Sequence, residues 1–196
     1  MKTTISALLL AFVLFACSPN NIKQDKSLGK YFDENKVQGC FGIMDNATGK
    51  FTIYNLERFH DSSYLPASTF KIVNSLIGLQ TGKITGDSMV IKWDGITRWN
   101  ADWNKDLNMY DAFRLSAVPY YQEVARHIGA DTMKQWIDSL GYGNKNISGP
   151  IDSFWLNNKL KISPDEQLGL LKRLYFGQLP FRKSVQEQVK DVMLQE

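Results

Sequence analysis

Residues 65–82 read LPASTFKIVNSLIGLQTG. Pro66 suits a first helical turn, where its missing N–H costs nothing, and Gly82 is a stop signal. The spacing of Ile72, Val73, Leu76, Ile77 and Leu79 between them predicts a helix from near Pro66 to about Gln80, apolar most of the way round and therefore buried. One residue does not fit a buried helix. Lys71 stands three positions after Ser68, and lysine is costly to bury. Either its side chain escapes to solvent, or the chain holds a lysine of perturbed pKa beside a hydroxyl. A spacing of three puts both side chains on one face. Ser68 falls in the first turn, where unpaired N–H groups and the helix dipole favour negative charge, so its own backbone offers an oxyanion donor. Serine is a weak nucleophile that needs a neighbouring base. Lysine serves as one only when burial leaves the amine neutral. The string S-x-x-K alone carries little, since about one is expected by chance in a chain of this size. Ser27-Leu28-Gly29-Lys30 is a second match, in a polar setting.

Working outward, GCFGIMD (39–45) and FTIYNL (51–56) have strand composition, and Asn46 and Gly49 supply turn residues between them. This predicts a β-hairpin with a five-residue loop. Residues 92–108 hold Trp93, Trp99 and Trp103 among polar residues and read as an ordered loop, in which Asp94 and Asp102 are loop hydrogen-bonders. Helices are expected at about 110–115, at 119–129 opened by Pro119, and at 131–140 capped by Asp131 and stopped by Gly141. His127 on the second of these reads as structural. S-P-D-E at 163–166 is a capping box that opens a helix to about 178, and SVQE at 184–187 opens another by the same rule. In that last helix Val185, Val189, Val192 and Met193 are spaced to bury a face. A lone hairpin is marginal in water, and helices with buried faces need a layer to cover. The expectation is therefore that further sheet strands, C-terminal to residue 196, are missing.

The N-terminus reads as an address. Lys2 precedes an almost unbroken apolar run from Ile5 to Ala16, about 12 residues, which suits a signal-peptide core and is too short to span a bilayer. LFAC (14–17) followed by SPNN looks like a lipobox, with Cys17 the lipidated residue and Phe15 departing from the usual small residue. Residues 1–16 are thus read as a signal peptide, 17–30 as a polar tether and 31–196 as the domain, mainly helical from about 61 to 180. Export to the periplasm follows, with a lipid anchor through Cys17 or ordinary signal cleavage. Cys40 then has no partner and packs as a small apolar residue on a strand. A net charge of +3 with scattered Lys and Arg excludes a nucleic-acid stripe. Two cysteines and two histidines without ligand spacing give no metal site.

Two further stretches sharpen the serine and lysine. Ser116-Ala117-Val118 places a hydroxyl at a bend before Pro119, and Tyr142-Gly143-Asn144 lies in a tight loop after a helix. Alone, each reads as a cap or a turn. Together, S-T-F-K, S-A-V and Y-G-N, at spacings of about 45 and 23 residues, resemble the active-site motifs of class D (oxacillinase-type) serine β-lactamases. KWDG (92–95), SAVPYYQEVARHIG (116–129) and FWLNN (154–158) resemble the same family. The resemblance covers roughly residues 30–196. It implies an α/β (α+β) fold of the β-lactamase/penicillin-binding transpeptidase type, with a central antiparallel sheet flanked by helices plus a mostly helical subdomain.

The resemblance also implies roles. Ser68 is the acylated nucleophile. Lys71 takes up carbon dioxide, from bicarbonate, and as N6-carboxylysine is the general base for acylation and for the deacylating water. Ser116 relays a proton to the β-lactam nitrogen. Val118 keeps the lysine pocket dry, Trp155 donates its indole N–H to the carboxylated lysine, and Leu156 lies over the same pocket. Tyr142, Gly143 and Asn144 support the site wall. No other cofactor is implied, and β-lactams are the partners of a monomer or homodimer. The family's third motif, K-T-G, occurs nowhere in residues 1–196. It would supply the second oxyanion donor, so the chain as written is expected to be inactive. Rival readings are a D-alanyl transpeptidase or carboxypeptidase, whose second motif is usually S-x-N where this chain has Val118, a β-lactam sensor domain, and a non-enzymatic binding lipoprotein.

Overall fold

The structure, a computed structural model, describes residues 21–194. The signal-peptide and Cys17 readings lie outside the described residues. The expected hairpin is present: β2 (Phe41–Asp45) pairs antiparallel with β3 (Lys50–Tyr54), Phe41 opposite Tyr54 and Asp45 opposite Lys50. Its loop is 46–49, one residue shorter than expected because Lys50 already pairs, and Gly49 takes the left-handed conformation (φ 68°).

Residues 21–30, expected as tether, are part of the fold. β1 (Ile22–Gln24) runs parallel to β3, in the order β1-β3-β2, so the sheet is three-stranded and mixed. A 3-10 turn (Lys26–Leu28), capped by the Asp25 carboxylate, leads into α1 (Gly29–Glu34). The second S-x-x-K is thus exposed: Ser27 donates to Asp25 and Lys30 lies over the Tyr31 ring.

After the sheet comes α2 (Leu56–Asp61). The core helix then begins as a 3-10 turn (Ala67–Thr69) that runs into α3 (Phe70–Gln80). Every residue of α3 from Ile72 to Leu79 is buried. Around it pack α5 (Val118–Ile128) and α8 (Lys183–Met193), with α4 (Met109–Arg114), α6 (Ala130–Leu140) and α7 (Pro164–Tyr175) completing the helical part. α8 buries Val185, Val189 and Val192 as its spacing predicts. The box at Ser163 and Glu166 is formed in both directions.

Two caps differ from expectation. Gly129 (φ 80°), not Asp131, is the N-cap of α6, because α5 ends there and the chain must reverse sharply. Ser184 is inside α8, whose N-cap is Arg182. The Arg182 backbone N–H donates to Gln80 Oε1, and its guanidinium donates to the Leu79 carbonyl at the end of α3. The tryptophan-rich region is ordered, with a bridge between Ile91 and Leu107 and a bidentate Asp94–Arg98 pair. Cys40, half-buried and just ahead of β2, is a free thiol whose pKa burial pushes up. His127 pairs with Glu123 on its own helix.

Candidate active site

The nucleophile candidate sits on the 3-10 turn that opens the core helix. Ala67 has φ 46°, a conformation costing a non-glycine residue about 1–2 kcal/mol. Its backbone N–H donates to the Trp155 carbonyl (3.3 Å). The strained residue thus presents Ser68 to solvent instead of turning it into the helix.

Opposite stands the bend after α4. Ser116 also has φ above zero (51°), and its hydroxyl lies 2.8 Å from the Ser68 hydroxyl. The bend is pinned on both sides. Ser116 N–H donates to the Phe113 carbonyl (3.1 Å), Ala117 N–H to Ala112 (2.8 Å), and the Trp103 indole N–H to the Leu115 carbonyl (3.0 Å).

One turn on from Ser68, the half-buried Lys71 amine donates to the same Phe113 carbonyl (2.8 Å) and lies 4.5 Å over the Phe113 ring. Burial pushes its pKa down from 10.5 to about 8, and it forms no ion pair among the described residues. At pH 7 about one lysine in ten of this kind is neutral, against about one in three thousand at the ordinary value. The Phe113 carbonyl therefore accepts from both the Lys71 amine and the Ser116 backbone N–H, while the Ser116 hydroxyl contacts that of Ser68.

Of the remaining expected residues, Trp155 and Tyr142 pack on Phe70, which lies in sequence between Ser68 and Lys71. Trp155 is 3% exposed and stacks on Phe70 (5.3 Å between centroids, 23° between planes). Leu156 packs half-buried against the core, and Val118 is half-buried at the start of α5. Tyr142 meets the other side of Phe70 edge-on (5.7 Å) and donates its hydroxyl to Gln167 (3.0 Å). Gly143 has φ 50°, and a Cβ there would stand 2.0 Å from the Lys161 carbonyl oxygen, so only glycine fits. Asn144 locks onto the same segment: its N–H donates to Lys161 O (2.9 Å), its Oδ1 accepts from Lys161 N–H (3.1 Å), and its Nδ2 donates to Lys159 O (2.8 Å). Ile162 then pairs with Tyr64 through two 2.9 Å bonds. The Y-G-N stretch thus acts on Ser68 indirectly, through Phe70 and through residues 154–162.

Sequence reasoning missed Phe113, Ala67 and Gln167. Phe113 acts through its carbonyl, which any residue type provides, so no pattern marks it. Gln167 looked like one more polar position in the first turns of α7.

A serine at the mouth of a core helix, a partnering hydroxyl and a half-buried lysine one turn on are the groups an acyl-transfer site of the penicillin-recognising fold requires. The family model described as "Penicillin binding protein transpeptidase domain" matches residues 39–196. Within that fold the chain belongs to the class D β-lactamases. It is 39% identical to the β-lactamase OXA-5 of Pseudomonas aeruginosa over 100% of this chain and 73% of the relative. It is 42% identical to OXA-48 of Klebsiella pneumoniae over 89% of this chain and 65% of the relative. The crystal structure of the class D β-lactamase YbXI from Nostoc superposes with a TM-score of 0.83 at 42% identity, covering 88% of this chain and 72% of that one.

Proposed function

We propose that the protein carrying this domain together with a K-T-G strand opens β-lactams through a serine acyl-enzyme, with Ser68 as nucleophile and Lys71 as the base at its side; residues 1–196 supply those groups but not the K-T-G oxyanion donor. The observation that carries the reading is the 2.8 Å contact between the Ser68 and Ser116 hydroxyls, one turn from an amine that burial brings to about 8. Ser68 Oγ attacks the lactam carbonyl and loses its proton to the lysine side. The carbonyl–nitrogen bond breaks as Ser116 passes a proton to the departing nitrogen, and water then releases the acyl group from Ser68.

The lysine environment fits carboxylation: the amine is half-buried, free of acids and partly neutral at pH 7. Carbon dioxide taken up there would supply an anionic base next to Ser68. Trp155 and Val118 shield that amine from water, and Trp155 has an indole N–H to offer. Residues 5–17 support export with lipidation at Cys17, and no helix among the described residues is long and apolar enough to cross a membrane.

The test is hydrolysis of a chromogenic cephalosporin by the full-length gene product, with and without added bicarbonate. The expected result is turnover that rises with bicarbonate and is lost in Lys71→Ala. Turnover indifferent to both would remove the lysine from the mechanism. A stable penicillin adduct without turnover would instead favour a transpeptidase-like or sensor role.

A further inference from the structure

A second cavity, of about 440 Å³, opens between residues 89–107 and α5. Its lining includes none of Ser68, Lys71, Ser116 or Val118. Its volume is in the range of small-molecule sites. Flat and apolar side chains line it: Trp93, Trp103, Ile91 and Leu107. Most of its charged residues are already satisfied. Arg98 is held by both oxygens of Asp94, Arg126 by Glu123 and Asp152, and His127 by Glu123.

Two cations are not. Lys92 and Lys105 are exposed, line the cavity and pair with no acid among the described residues. Tyr120, 4% exposed and also part of the lining, has a hydroxyl without any hydrogen-bond partner.

We infer that this cavity is a binding site, separate from the Ser68 site, for a small organic anion with a flat apolar body, an aromatic carboxylate being the simplest case. The ring lies among the tryptophans and the carboxylate meets Lys92 and Lys105. Trp103 makes the site readable, because its indole N–H is fixed on Leu115 O, next to Ser116.

The experiment is titration of the ¹⁵N-labelled protein with 2-naphthoate, following the indole N–H signals of Trp93 and Trp103, each assigned by its Trp→Phe variant. Saturable shifts of both are expected, with a dissociation constant below about 1 mM. Binding should weaken about fivefold or more in the double variant Lys92→Ala, Lys105→Ala, and by a similar factor for the uncharged 2-naphthalenemethanol, since either change removes the pairing of the carboxylate with two exposed cations. Ser68→Ala should bind 2-naphthoate with the same affinity. Absence of saturable shifts, or equal affinity in the double variant, would overturn the proposal. So would displacement of 2-naphthoate from Ser68→Ala by benzylpenicillin, which would place the ligand in the Ser68 site.

Discussion

Replacing Gly143 by alanine should damage this protein far more than its size suggests. The added Cβ would stand 2.0 Å from Lys161 O and 2.9 Å from Lys161 C, both backbone atoms that no rotamer change can move. The residue is also held at φ 50°, where alanine is worse than glycine by about 1–2 kcal/mol. Relieving the overlap means drawing residues 159–162 away from 142–144, which loosens the two Asn144–Lys161 bonds of 2.9 and 3.1 Å. At about 1 kcal/mol for each bond, the total comes to about 3–4 kcal/mol, a large share of a typical domain stability. Gly141 is the control. It is likewise left-handed (φ 63°), but a Cβ there meets nothing within 4 Å, so Gly141→Ala should cost only the conformational strain of about 1–2 kcal/mol. Urea unfolding of the two variants measures the difference. If Gly143→Ala falls within about 0.5 kcal/mol of Gly141→Ala, the close approach to Lys161 does not carry the weight assigned to it.

Three other outcomes follow from the site and its frame. In competitive labelling the Lys71 amine should react with an acylating reagent in step with its neutral fraction, with a midpoint near pH 8, well below the ordinary lysine value of about 10.4. Because its folded pKa is lowered, the unfolded chain binds the extra proton between about pH 8 and 10.5. Stability relative to Lys71→Met should therefore rise with pH across that window and be lost as pH falls through it. Ser116→Ala should slow acylation of Ser68 by about 10²–10⁴, measured by stopped-flow mixing with a chromogenic cephalosporin, while leaving the circular dichroism unchanged. Ser163→Ala should cost about 1 kcal/mol in urea unfolding through loss of the α7 cap.

What the sequence could show is set by range. The α7 box and the α3 run are local signals, and both stand where they were expected. β1 was missed because Ile22, Lys23 and Gln24 are all exposed and show no alternation; it exists only because β3 lies alongside. The α8 cap was misassigned because the Arg182 contacts run to Gln80 and Leu79, about a hundred residues away. Gln186, buried at 1% exposure, is fixed by a nearer need, the loop just ahead of α8: it donates to Leu179 O and Phe181 O and accepts from Leu179 N–H. In the site, the spacing of Ser68 and Lys71 was informative because a helix fixes it. The meeting of Ser68 with Ser116 was legible only through family resemblance, since a separation of 48 positions says nothing of contact.

The most direct test of the central claim is the intact mass of the protein after brief exposure to benzylpenicillin, with the adduct mapped by proteolysis. The account predicts one penicilloyl group, on the peptide containing Ser68, absent in Ser68→Ala and formed much more slowly in Lys71→Ala. An adduct on another residue, or one that persists undiminished in Ser68→Ala, would contradict it.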